Sequence, residues 1–401
     1  MADNNPRSNW VPLAITLAIQ ALVSMAVLTA PVMAPVVAGA LGVSAAYLGL
    51  YIAIVYLGAM CASLAAGAAV ARFGAIRVSQ AGLLLCAAGL LLCAFPSLWA
   101  FAAGGLLIGL GYGPITPASS WLLALTTPAH RMALVFSIKQ TGVPVGGMLA
   151  GALVPSLMLL GGWQSALMAV AVANIACALV AQPLRGELDA DREPGKPLRL
   201  GNLAQPIRVV LSQRTLATLA ACSFVFSTAQ LVLTGYLVTY LSQVLAYGLV
   251  TAGLALSVAQ IGGIGGRIVW GYIADRGLGA NRTLAALAFI MAGSSLATAL
   301  LHTSMPTLLV FAILFVFGAS ATGWNGVYLA EVARRAPPGM AGIATGGTLA
   351  ITFLGVVLGP PVFGAVSAAF GSFRYGYAAL AIPVLVCGIV LVRTRPKLAQ
   401  R

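Results

Sequence analysis

Gly271-Tyr-Ile-Ala-Asp275-Arg276-Gly-Leu-Gly279-Ala-Asn-Arg282 is the stretch from which the fold can be read. It is a short, charged, glycine-punctuated segment between two long apolar runs. A degraded copy, Gly67-Ala-Ala-Val-Ala71-Arg72-Phe-Gly74-Ala-Ile-Arg77, lies between two earlier apolar runs, with Ala71 at the position of Asp275. Other matches accompany it: Gly151 corresponds to Gly359, and the Gly162-Trp163 corner to Phe370-Gly371. Self-similarity on this scale points to a duplicated architecture, the layout expected when a site is built between two related halves.

The runs around these segments are too long for soluble helices. Apolar residues make up 61% of the 401-residue chain and charged residues 7%, where soluble domains carry roughly a quarter charged. A water-exposed surface cannot be assembled from this composition, so lipid must solvate most of the chain. A spanning helix needs about 20 apolar residues, and such runs read near 11–38, 46–70, 78–96, 98–124, 132–160 and 164–183, then 215–241, 248–274, 283–301, 305–330, 340–369 and 375–393. They do not alternate at period two, which excludes a barrel, and backbone groups in lipid then require helices. The expected fold is an all-α membrane protein with twelve transmembrane helices in two pseudo-symmetric six-helix bundles. The polar stretch Leu184–Arg214 divides the sets. This gives an N-terminal bundle over 1–184, a cytoplasmic linker over 185–213 and a C-terminal bundle over 214–401.

The net charge is +14, but the basic residues sit in the gaps between runs. That is the pattern of topology signals facing an anionic leaflet, not of nucleic-acid binding. With the N-terminus cytoplasmic, eighteen of the 21 basic residues face the cytoplasm and Arg374 alone faces outward. Both termini are therefore expected inside, in a multi-pass protein of a bacterial inner membrane, and the segment before Pro12 reads as a polar tail rather than a cleaved signal. The six cysteines all lie within apolar runs and form no Cys-x-x-Cys pair. They read as packing residues, so no metal and no cofactor is expected.

Charge counting leaves two basic residues, Lys139 and Arg267, inside spans. Each costs at least about 2.5–3.5 kcal/mol at a helix centre, which makes intramembrane charges functional candidates. Lys139 lies eight residues past Arg131 and Arg267 eight before Asp275, so both are roughly 12 Å from a helix end. The seven acidic residues read as lying at span ends, in the tail or in the linker. Positive charge thus dominates the spans, which points to an anionic ligand; bonds to backbone carbonyls, glutamines or water are the structural alternative. Gln140 and Gln260 are placed to orient the two cations, while His130 and His302 fall at helix ends.

The Gly-x-x-x-Asp-Arg-x-x-x-x-x-Arg pattern at 271–282 resembles the cytoplasmic loop motif of the major facilitator superfamily, and the copy at 67–77 stands where that family has its first. The resemblance covers the whole chain. It implies a conformational latch at Asp275, Arg276 and Arg131, with Ala71 leaving the first copy incomplete. It also implies a cavity lined by helices 1, 4, 7 and 10, which brings in Gln20, Tyr112, Gln230, Tyr236, Trp324, Asn325 and Tyr328. Trp324 and Tyr328 are four apart and share a helical face.

Two finer resemblances point in different directions. Gly142-Val-Pro144-Val-Gly146-Gly147 resembles the fifth-helix motif of drug and metabolite antiporters, although close packing with a proline kink accounts for the same residues. Arg267-Ile-Val-Trp-Gly271 resembles the eighth helix of oxalate/formate and monocarboxylate transporters, which implies that Arg267 binds a carboxylate through its planar fork. Tyr112, after a Gly-x-Gly, is similar to those carriers too. The expected function is therefore transport, not catalysis: a secondary carrier of a small organic anion, a mono- or dicarboxylate, by alternating access, with protons or a counter-anion as coupling partner. Lys139 is the proton-coupling candidate, because a buried lysine can give up its proton and an arginine cannot. The competing expectation is an exporter of drugs or uncharged metabolites by proton antiport. A monomer in the lipid bilayer, without nucleic acid, is expected.

Overall fold

The computed structural model of the chain describes residues 10–127, 132–195, 204–337 and 341–394. Among the described residues every regular element is helical, as lipid demands of a chain that must pair its own backbone groups. The first half contains α1 (Trp10–Val32), α2 (Ala34–Leu41), α3 (Leu48–Phe73), α4 (Ala75–Cys93), α5 (Leu98–Tyr112), α6 (Ile115–Thr126), α7 (Met132–Gln140) and α8 (Gly142–Val180). The linker contributes α9 (Arg185–Leu188) and α10 (Ala204–Ser212). The second half contains α11 (Arg214–Val244), α12 (Leu249–Ile273), α13 (Ala280–Ala299), α14 (Thr307–Ala321), α15 (Trp324–Arg335), α16 (Ala341–Ala369) and α17 (Phe373–Arg393).

Eleven segments are long and apolar enough to cross a membrane. One of them, Ile138–Val180, is 43 residues long. At about 1.5 Å per residue this exceeds twice the roughly 30 Å hydrocarbon core. It turns at Gly161 and Gly162, where the backbone leaves helical geometry and Gly162 takes φ +82°, a left-handed conformation that glycine adopts without a Cβ penalty. The segment is two crossings, which agrees with twelve helices.

Several spans are interrupted where a continuous run was expected. Span 4 is divided at Gly113-Pro114 and span 10 at Thr322-Gly323. Span 1 breaks at Met33, just before Pro35, and span 5 at Thr141, three residues before Pro144. Proline lacks the N–H that would close the previous turn. The breaks in spans 4 and 10 occupy matching places in the two halves, so the duplication extends from the loop motif into helix geometry.

Contacts divide the chain into two compact units, one of Met1–Ala45 with Tyr51–Gly201 and the other of Ala46–Leu50 with Asn202–Arg401. In the first, α8 packs along α1 and α4, and α4 also packs on α5. In the second, α11 packs on α16, α12 on α14, α13 on α17 and the linker helix α10 on α16. Small residues permit these close approaches. A Cβ on Gly142 would lie 2.9 Å from Gln20 Cβ, and one on Gly146 would collide with the Ala21 carbonyl. Without a hydrophobic force between helices in lipid, such backbone proximity and interhelical hydrogen bonds hold the bundle. Ser295 Oγ donating to the Tyr377 carbonyl at 2.7 Å and Tyr240 Oη to that of Thr298 at 2.6 Å are two of these bonds.

Candidate functional site

In the first unit, Lys139 lies in the last turn of the short helix α7 and is 0% exposed. The local sequence explains the turn it sits on. Pro144 has no N–H to donate to the carbonyl of Gln140, and at the turn the Ile138 carbonyl accepts from both Thr141 N at 3.0 Å and Thr141 Oγ1 at 2.6 Å. Gln140 follows Lys139 directly and is half-buried. Beyond the turn, Gly142 and Gly146 lay the start of α8 against α1 at Gln20, Ala21 and Ser24. The packing account of the Gly142-Val-Pro144-Val-Gly146 run is therefore the one this geometry supports.

Gln20 is fully buried on α1. Its Nε2 approaches Ser24 Oγ at 3.4 Å, and its Oε1 accepts from Thr116 Oγ1 at 3.1 Å. Thr116 lies two residues past Pro114, on the first turn after the span 4 break. Tyr112 precedes the break and is half-buried, with its ring edge-on to Tyr56 at 5.9 Å between centroids.

In the second unit, Arg267 is half-buried on α12 and its Nε donates to the Thr322 carbonyl at 3.2 Å. Thr322 is the break residue of span 10, so the interruption supplies the acceptor that orients the guanidinium. Trp270 Nε1 donates to the Ala319 carbonyl at 3.1 Å, fixing the same two spans one turn away. Gln260 is buried on α12, two turns before Arg267. Asn325, two residues past Gly323, donates through Nδ2 to Gln230 Oε1 at 3.2 Å. The pair Gln230–Asn325 thus repeats the pair Gln20–Thr116: each joins the first helix of its bundle to the fourth, on the first turn after the break.

Three aromatic candidates are fully buried. Trp324 is 1% exposed, its Nε1 bonds to the Ala321 carbonyl at 3.1 Å, and its ring packs edge-on to Phe226 and Tyr328. Tyr328 is equally buried and its hydroxyl faces Ser223, Thr348 and Thr352. Tyr236 packs at a tilt against Phe363 and Phe373, and its hydroxyl donates to the Pro360 carbonyl at 3.1 Å.

Of the residues expected to form a latch, Asp275 and Arg276 lie in a π-helical turn, Ala274–Leu278, and are exposed. Arg276 is held by Tyr272, which its Nη1 reaches at 3.0 Å and whose ring lies beneath the guanidinium. The ion pairs seen among the described residues join Glu331 to Arg334 and Arg335, on α15. Arg131 lies outside the described residues. Sequence reasoning missed Thr116 and Thr322; the helix breakers Pro114 and Gly323 beside them were the available signal.

Comparison with known proteins agrees with this architecture. The family model described as Major Facilitator Superfamily matches residues 13–353. A gentisate transporter of Corynebacterium glutamicum is 27% identical over 334 residues, 80% of this chain and 71% of that protein. A benzoate transport protein of Acinetobacter baylyi is 24% identical over 322 residues, 73% and 68% of the two chains. Among solved structures, a POT family transporter in complex with 5-aminolevulinic acid superposes with a TM-score of 0.77 at 13% identity, over 97% of this chain and 96% of that one. A D-xylose-proton symporter superposes with a TM-score of 0.74 at 18% identity, over 96% and 98%. At these identities the structural likeness speaks to fold alone.

Proposed function

This chain belongs to the Major Facilitator Superfamily, and from that premise we propose that it is a secondary active carrier of a small organic anion, working by alternating access. It is a multi-pass membrane transporter and not an enzyme. The observation that carries the reading is Lys139, a charged side chain with no exposure inside a membrane span. Burying such a charge is costly, and a chain retains it where the charge has work to do. Arg267 adds a second cation in a span of the other unit, oriented by the Thr322 carbonyl. An anion beside either cation lowers the electrostatic cost of that cation.

Arg267 would take the substrate carboxylate, since a guanidinium matches its planar geometry. Gentisate and benzoate, for which two curated relatives are named, are aromatic carboxylates and are the first substrates to try. Gln140, Gln260, Gln20, Gln230, Asn325 and Tyr112 would supply neutral polar contacts. Lys139 would couple transport to protons, because moving an anion into a negatively polarised cell costs about 2.3 kcal/mol per charge per 100 mV and a co-transported proton offsets it. Exchange against an internal anion is the other way to meet that cost. The basic-residue distribution supports cytoplasmic termini in a bacterial inner membrane.

The test is uptake by proteoliposomes of benzoate, gentisate, a short aliphatic carboxylate and a lipophilic cation. Saturable uptake of one or more carboxylates, abolished by Arg267→Ala, is expected. Transport of the lipophilic cation with none of the carboxylates would sink the reading and return the exporter alternative.

A further inference from the structure

The first loop copy lacks the acid that the second carries, Ala71 standing where Asp275 stands. A carboxylate nevertheless occupies that loop, and it comes from the linker. Asp189, 2% exposed, accepts from Ile76 N at 2.7 Å through Oδ1 and from Arg77 N at 3.0 Å through Oδ2. These are amides of the first turn of α4, which have no acceptor within their own helix. A carboxylate there is favoured both by charge-assisted hydrogen bonding and by the helix dipole. Gly74, at φ +97°, begins the helix, and a Cβ on it would run into the Asp189 side chain. The linker residues beyond hold the same face: Glu193 N donates to the Ala71 carbonyl at 2.7 Å, and Trp121 Nε1 donates to Asp191 Oδ2 at 2.7 Å.

We infer that linker residues 185–195 are a strap pinned to the first bundle by Asp189, which supplies from a distance the acid its loop has lost, and that this pin sets the rate at which the carrier changes state. The second clause rests on the alternating-access reading above. The linker is the covalent connection between the two units, and its far end, α10, packs on α16 of the second unit. Cutting the pin removes the buried one of these anchors, leaving the bonds at Asp191 and Glu193, and frees the α4 terminus at the same time.

Hydrogen exchange of the purified full chain in detergent reads the pin, and proteoliposome uptake of benzoate reads the rate. In the wild type, the amides of Ile76 and Arg77 are expected to exchange at least about ten-fold more slowly than in Asp189→Ala, with Asp189→Asn between them because its amide retains one acceptor. The uptake velocity of Asp189→Ala is expected to fall about ten-fold at unchanged KM. Rapid exchange at these amides in the wild type overturns the inference without any variant, so a misfolded Asp189→Ala does not protect it, and Asp189→Asn supplies the transport measurement in that case. Loss of protection with wild-type velocity reduces Asp189 to a helix cap and overturns the strap. If the wild type does not take up benzoate, the velocity is read with another carboxylate of the panel; absence of uptake of every carboxylate counts against the functional reading instead, and the strap is then decided by exchange alone.

Discussion

Lys139 and Arg267 are both cations within spans, yet their surroundings divide their roles. Arg267 is half-buried and its Nε is already committed to the Thr322 carbonyl, so the guanidinium plane is fixed before a ligand arrives. Lysine at this position keeps the charge but loses the plane and that bond. Arg267→Lys is expected to raise KM at least about ten-fold while leaving measurable velocity; an unchanged KM in a substrate titration would remove the carboxylate role. Lys139 is fully buried at a helix end, and of the two it alone has a proton it can release at ordinary pH. If it couples protons, wild-type uptake rises as external pH falls from 8 to 6, and Lys139→Gln flattens that profile. Retention of the full pH dependence by this variant would assign coupling to another group or to anion exchange.

At the scale of elements, the interruptions in spans 4 and 10 place the candidate polar groups. The breaks at Gly113-Pro114 and Thr322-Gly323 end one helix and start another within a single crossing. Thr116 and Asn325 stand on the first turn after each break, where Gln20 and Gln230 meet them. Glycine contacts fix the spacing of the neighbouring helices. Gly146 faces the Ala21 carbonyl directly, whereas a Cβ on Gly265 would meet nothing within 4 Å. Gly146→Leu is therefore expected to destabilise the protein by about 1–3 kcal/mol through overpacking, and Gly265→Ala to be neutral in the same thermal unfolding measurement in detergent. Equal melting temperatures for the two variants would contradict the close seating of α8 on α1. The Gly-Pro run of span 5 was visible in the sequence, but two meanings were open to it. The seating of Gly142 on Gln20 supports the packing meaning, because contact partners on another helix are not encoded in local spacing.

At the scale of the molecule, the distribution of basic residues sets a direction. Arg374 is the lone basic residue expected outside, against the clusters of the linker and the 276–282 loop. A phosphatase reporter fused beside Arg374 should be active and one fused within the linker inactive; the reverse pattern would invert the topology. The linker itself is more than a spacer, since Asp189 and Glu193 bind it to the first unit. In the sequence its acids only mark a polar stretch, because a bond across 113 residues leaves no local signature.

The sequence by itself determined the class of this protein. Long apolar runs admit only helices in lipid, the repeated loop at 67–77 and 271–282 doubles them, and charge counting singles out Lys139 and Arg267. Those conclusions follow from hydrophobicity, periodicity and electrostatic cost, which act on the chain residue by residue. The tertiary structure decided which polar residues meet: Arg267 with Thr322, Gln20 with Thr116, Gln230 with Asn325, and Asp189 with the start of α4. It also set the Trp324 ring edge-on to Phe226 and Tyr328. Such pairings depend on helix rotation and on the backbone approach that glycine allows. They arise from packing between distant segments, and no window along the chain contains both partners.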